Sequence, residues 1–252
     1  MAARMVTASD MAAQPGAAAA VAPAIACREY DEAGRLTAVY HRQGESLEGP
    51  ATWYNEAGQV LQQAQFRHGQ LHGELQVFDR HGRLLQRCTY QDGKLEGPAF
   101  FYTDGQLQAY VAFRGGRQDG EAVSYDDQGQ LRERSWYRDG ALCGEASYYG
   151  AEGQLIKQAG YRNHQLHGTT TSYYPNGLVR EVAHYQDNRL HGEVITYALD
   201  GTIIAQRRFH DGKPVGTPMP PNTPAPRQPG ASGGPPEPSW FQQLLARCFG
   251  GG

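Results

Sequence analysis

One glycine recurs along this chain at an almost constant interval: Gly49, Gly73, Gly97, Gly120, Gly144, Gly168, Gly192 and Gly216, with spacings of 24, 24, 23, 24, 24, 24 and 24 residues. A period in that range means an array of small units, each stabilised chiefly by its neighbours. Other columns keep the same register. Five residues after each of the first seven glycines stands an aromatic: Tyr54, Phe78, Tyr102, Tyr125, Tyr149, Tyr173 and Tyr197. A second glycine follows four residues later, or three in the shortened third unit: Gly58, Gly82, Gly105, Gly129, Gly153, Gly177 and Gly201. Eight residues on comes a second aromatic: Phe66, Tyr90, Phe113, Tyr137, Tyr161, Tyr185 and Phe209. Tyr30 and Gly34 share the phase, so a partial unit precedes Gly49, with Arg42 at its second aromatic position as a cap or a frayed edge.

Each unit reads as strand, turn, strand, turn. The first strand is expected to run from the anchoring glycine to its aromatic, as in Gly73–Phe78. The turn follows, as in Asp79-Arg80-His81-Gly82. The second strand alternates with period two: Leu107, Ala109, Val111 and Phe113 on one face, Gln106, Gln108, Tyr110 and Ala112 on the other. The second turn carries Gly69, Gly93, Gly116, Gly140 and Gly212, replaced by His164 and Asn188 in two units. Glycine supplies the positive φ of tight turns; Asn tolerates it, and His is less comfortable there. Hydrophobic residues make up only 39% of the chain, below the usual range of about 45–50%. A thin layer of buried side chains is therefore expected, not a deep core.

The expected fold is all-β: an elongated single-layer antiparallel β-meander of about seven 24-residue hairpin repeats over residues 28–216. Residues 1–27 read as a flexible Ala-rich tail, with an export signal as the alternative. Residues 217–238 read as a Pro/Gly-rich linker. Residues 239–249 read as a short amphipathic helix, with Trp240, Phe241, Leu244, Leu245, Cys248 and Phe249 at helical spacing, Ser239 as N-cap and Gly250 as stop. That helix has three open destinations: its own sheet, a partner groove or a membrane surface.

The pattern Tyr-x3-Gly-x-Leu-x5-Tyr/Phe-x2-Gly-x-Leu-x-Gly resembles the MORN repeat in its bacterial variant form. Leu166-His167-Gly168 through Tyr173-Tyr174-Pro175-Asn176-Gly177-Leu178 carries the resemblance best, and Tyr90-Gln91-Asp92-Gly93-Lys94-Leu95-Glu96-Gly97 carries it well. The resemblance implies a bacterial scaffold of the antitoxin-like or immunity-like kind, with a toxin or effector as its protein partner. Its alternative implication is a scaffold associated with membrane or phospholipid surfaces.

Catalytic and metal readings fare poorly. His72, His167 and His191 precede anchoring glycines, but equivalent residues recur every two strands, about 9–10 Å, far too wide for one zinc ion. Asp126 and Asp127 are turn residues. Ser124, His184 and Asp187 make a triad only on paper, with no nucleophile elbow to support it. No cofactor and no enzymatic activity are expected. Net charge is −3, with 23 basic and 26 acidic residues well mixed, which argues against nucleic acid and against anionic lipid. Cys27, Cys88, Cys143 and Cys248 form no CxxC pair, and a cytoplasmic location is the simpler expectation. Open sheet ends leave a homodimer available.

What remains for recognition is the exposed face of the second strands: Gln63 and Gln65; Arg83, Leu85 and Arg87; Arg132, Arg134 and Trp136; Arg180, Val182 and His184. Arg and Trp are favoured at binding centres. Arg132, Arg134, Trp136 and Arg138 are therefore the candidate partner-binding patch, with Trp240, Phe241, Leu244 and Leu245 as a second element.

Overall fold

The computed structural model describes residues 23–219. Within them the chain forms one open sheet of 19 strands, from Ile25–Tyr30 to Lys213–Met219, with no helix among the described residues. Counting the two interrupted strands Lys94–Thr103 and Ala141–Tyr149 as one each, every strand pairs antiparallel with its neighbours in the chain: Ile25–Tyr30 with Leu36–Gln43, that with Ser46–Tyr54, and so on. The fold is the expected all-β meander of hairpins. The sheet reaches three residues beyond the 28–216 span at each end. The amphipathic segment 239–249, with Trp240, Phe241, Leu244 and Leu245, lies outside the described residues.

Three local devices set the geometry, and two of them correct the sequence reading. Except at Gly97 and Gly144, the anchoring glycine does not start a strand. It sits inside one, at a bulge: Gln70–Phe78 runs through Gly73, where φ is 106° and the register against the preceding strand jumps from Ala64↔Leu75 to Phe66↔Leu71. At Glu96 and Cys143 this bulge splits the strand in two, giving Lys94–Leu95 with Gly97–Thr103 and Ala141–Leu142 with Gly144–Tyr149. An extra residue in one strand bends the sheet and raises its twist.

The second device is a bulge after the first turn. Leu107 pairs with Tyr102, whereas Ala109 pairs with Phe101, leaving Gln108 as the extra residue. The simple alternation Leu107, Ala109, Val111, Phe113 is broken there. Leu107 packs with Tyr102 against Phe100 and Tyr110, on the face opposite Val111 and Phe113.

The third device is the turns. From His68-Gly69 onward the second turn places both central residues at positive φ, including Asp92, Asp139, Asn163, His164, Asp187 and Asn188. This is the type I′ geometry whose twist matches that of the flanking strands. The first turn is longer: Gly82 N–H donates to Asp79 O, and the Asp79 carboxylate accepts the N–H groups of His81 and Arg83. The shortened third unit replaces it with the two-residue turn Asp104-Gly105, at φ 53° and 81°. That substitution accounts for the 23-residue spacing.

The side chains form a layer on each face. One face carries a row of small residues paired strand to strand: Ala51, Ala64, Leu75, Cys88; then Ala99, Val111, Ala122, Ser135; then Ala146, Ala159, Thr170, Ala183. Most of these are buried, flanked by partly buried Trp53, Phe66, Leu71, Tyr90 and Leu95. In five units the second aromatic faces a leucine across the turn, as in Phe66↔Leu71 and Tyr161↔Leu166, while Phe113 faces Gln118 and Phe209 faces Pro214. Arg42 takes the same place against Leu47 and donates to the Glu45 carbonyl at 3.0 Å. Tyr102 and Tyr125, of the first aromatic column, pack on the other face with Leu107 and Leu131.

Candidate functional site

The candidate patch lies on the strand Leu131–Arg138. Arg132, Trp136 and Arg138 are exposed, but Arg134 is not free. Its Nε lies 3.1 Å from the Glu121 carboxylate on the adjacent strand, and Glu121 is only 6% exposed. The pair makes close ionic contact without an aligned Nε hydrogen bond. The other Glu121 oxygen accepts the Tyr110 hydroxyl. Burial, then this hydrogen bond, pushes the Tyr110 phenol far above its ordinary pKa. Tyr110 packs in turn on Phe100, ring centroids 6.2 Å apart, and the Arg87 guanidinium lies 4.8 Å over the Phe100 ring.

These residues trace one row across five strands: Arg87↔Phe100, Phe100↔Tyr110, Tyr110↔Val123, Val123↔Arg134. Phe100, Tyr110 and Val123 form a buried cluster with Tyr102, Leu107, Tyr125 and Leu131 around it. The face read as variable and solvated therefore has a hydrophobic centre of its own. Tyr110, a polar-face residue by strict alternation, is 3% exposed.

A diagonal tie recurs on this face. The glutamate after an anchoring glycine reaches the residue thirteen positions on: Glu121 to Arg134, Glu145 to Gln158 at 3.0 Å, and Glu193 to Gln206 at 3.2 Å. The repeated offset was available in the sequence, as Glu at one column and Arg or Gln at the other. Such ties fix the middle of each second strand. They leave the positions two residues to either side, Arg132 and Trp136 in this unit, as the exposed ones. Trp136 lies beside the Gly144 bulge, where a glycine Cβ would stand 3.9 Å from its own Cβ.

The histidine column has a structural task. His72, His167 and His191 each put Nδ1 at 3.2–3.3 Å from an aspartate in the next second turn, Asp92, Asp187 and Asp211. In other units the same position is acidic and accepts a turn N–H: Glu48 from His68, Glu96 from Gly115, Asp119 from Asp139. No group of three metal-ligating side chains occurs among the described residues. The paper triad has other commitments: His184 Nδ1 meets the Glu193 carbonyl at 3.0 Å, and Asp187 meets His167. Of the cysteines, Cys27, Cys88 and Cys143 are free thiols, and burial pushes Cys88 upward in pKa.

Residues 47–68 and 166–187 match the family model described as the MORN repeat variant. Two segments of the chain are thus similar to the MORN repeat variant. Each matched MORN segment covers one whole hairpin, from the leucine before the bulge glycine (Leu47, Leu166) to the first residue of the second turn (His68, Asp187). No curated protein matches the chain. Among solved structures, the GtfA/B complex bound to UDP and GlcNAc aligns at 21% identity over 46% of this chain and 23% of that one, with a TM-score of 0.22. The TcdB2-TccC3-Cdc42 structure aligns at 13% identity over 73% of this chain and 12% of that one, with a TM-score of 0.20. The chain thus spans under a quarter of the length of these structures' chains.

Proposed function

We propose that this repeat scaffold is non-enzymatic and binds a protein partner through the exposed columns of its second strands, centred on Arg132 and Trp136. The observation that carries the reading is the contrast around Arg134. It is held by buried Glu121, so the arginine and tryptophan on either side project from a fixed strand. Rigid presentation of Arg and Trp lowers the entropic cost of binding. The matching columns change chemically from unit to unit: Leu85, Arg132, Ile156, Arg180 and Ile204 two positions before the tie, Trp136 and His184 two after it. The MORN-variant resemblance makes a toxin or effector the partner class, with the chain acting as an antitoxin or immunity protein that covers it.

The test is affinity capture from the native host with full-length protein and with an Arg132→Glu/Trp136→Ala variant. A stoichiometric protein retained by the first and lost by the second supports the reading. Capture of no such protein, or equal capture by both, overturns it. Binding of the full chain to anionic vesicles in its place would move the assignment to a lipid surface.

A further inference from the structure

Exposed aliphatic side chains gather along one edge of the last three units. Ile156 is 41% exposed, Leu178 38%, Leu199 59% and Ile204 44%. All four lie at or within three residues of a first-turn glycine, Gly153, Gly177 or Gly201, so they share the sheet edge on which the first turns stand. Ile156, Arg180 and Ile204 are equivalent positions of successive second strands, with Arg180, also exposed, between the two isoleucines. Ile156 and Ile204 are four strand spacings apart, about 19 Å. A run of exposed apolar groups of this kind marks a surface with an occupant.

We propose that residues 239–249 dock back in cis on the strip formed by Ile156, Leu178, Leu199 and Ile204. The strip shares one exposed column with the partner-binding reading but lies in later units than its centre at Arg132 and Trp136, and the docking is argued without that reading. Three observations select this occupant. The last described strand ends at Met219, which pairs with Gln206, two residues from Ile204, so the tail departs beside the strip. About twenty residues, many of them Pro, separate Met219 from Ser239. At about 3.1 Å per residue a Pro-rich stretch of that length can extend to about 60 Å, more than enough contour length to reach any point of the strip. An eleven-residue helix is about 16 Å long, close to the Ile156–Ile204 span, and its expected apolar face offers Trp240, Phe241, Leu244, Leu245 and Phe249. Trp240 can also stack on the Arg180 guanidinium at the centre of the strip.

The test uses the full chain carrying Trp53→Phe and Trp136→Phe, which leaves Trp240 as the sole tryptophan. Docking in cis gives blue-shifted Trp240 emission and several-fold weaker acrylamide quenching than a free peptide of residues 236–252, independent of protein concentration. Adding Ile156→Asp and Ile204→Asp, both at exposed positions that leave the fold intact, returns emission and quenching to those of the peptide. Peptide-like emission in the starting protein overturns the proposal. So does protection that survives the two Asp substitutions, or protection that appears only as concentration rises, which would place the segment on a second copy.

Discussion

The Arg134 side chain meets the Glu121 carboxylate 3.1 Å away across one strand boundary, and Glu121 in turn holds the buried Tyr110 hydroxyl. This chain of contacts ties three consecutive strands at the middle of the array. An arginine that looks from the sequence like a free recognition residue is thereby an internal support.

Breaking that tie has a defined cost. Arg134→Ala leaves the Glu121 carboxylate buried with only the Tyr110 hydroxyl for company. Breaking a fully buried pair costs about 3–5 kcal/mol; because the Arg134 side chain is 24% exposed, about 2 kcal/mol is expected here. Adding Glu121→Gln to Arg134→Ala removes the stranded charge and recovers part of the loss. Arg132→Ala, at an exposed position, changes stability by less than about 0.5 kcal/mol. Urea unfolding of the four proteins checks the order, and equal losses for Arg132→Ala and Arg134→Ala would refute it.

Stability also falls on the alkaline side. Tyr110 and Tyr148 are pushed up strongly, and Tyr90, Tyr102, Tyr125, Tyr173 and Tyr185 upward too, burial being the largest cause in each. A tyrosine whose folded pKa is raised keeps its proton when the unfolded chain has released it. The contribution is therefore complete below the unfolded value of about 10 and is lost as pH rises through the folded values. The urea midpoint should hold up to about pH 10 and drop progressively above it, and Tyr110→Phe should make the drop shallower. An unchanged slope in that variant would mean that Tyr110 does not take part.

The anchoring glycines differ in what they face, and this separates two costs. At Gly97 φ is 78° and a Cβ would meet nothing within 4 Å; at Gly120 φ is 115° and a Cβ would stand 3.0 Å from the Ala112 Cβ. Gly97→Ala carries only the left-handed backbone penalty, about 1–2 kcal/mol. Gly120→Ala adds overpacking against the neighbouring strand, about 1 kcal/mol or more. Thermal unfolding should rank wild type above Gly97→Ala and Gly97→Ala above Gly120→Ala.

The period was readable because glycine and aromatic columns are chemically distinctive; both the hairpin count and the slip at Asp104-Gly105 follow from them. What each face carries was not readable, because the bulges at Gly73 and Gln108 and their equivalents shift the alternation within every strand. Leu107 therefore joins Tyr110 and not Val111. The buried row was also hidden. Ala51, Ala99, Ala122 and Ala146 recur two residues after an anchoring glycine, but alanine does not stand out in a hydrophobic pattern as an aromatic does. The Glu121–Arg134 tie was hidden for a related reason: its partners lie thirteen residues apart, on a diagonal, and only its repetition at Glu145–Gln158 and Glu193–Gln206 makes it a rule.

The two second turns that lack glycine should respond to it with opposite sign. His164 has φ 65°, a left-handed conformation that costs a non-glycine residue about 1–2 kcal/mol, and its Nδ1 accepts the Leu142 N–H at a long 3.4 Å. His164→Gly relieves that strain, less the extra freedom gained by the unfolded chain, for a net gain of about 0.5 kcal/mol. Asn188 has the same φ, 66°, but asparagine tolerates it, and its side-chain oxygen accepts the Leu166 N–H at 2.7 Å. Asn188→Gly gives up that hydrogen bond while relieving little, for a net loss of about 1 kcal/mol. Equilibrium unfolding of the two single variants and the double checks both signs. The two turns stand one repeat apart, about 9–10 Å, and Asn188 is bonded to Leu166, two residues from His164, so the double variant should depart from the sum of the singles.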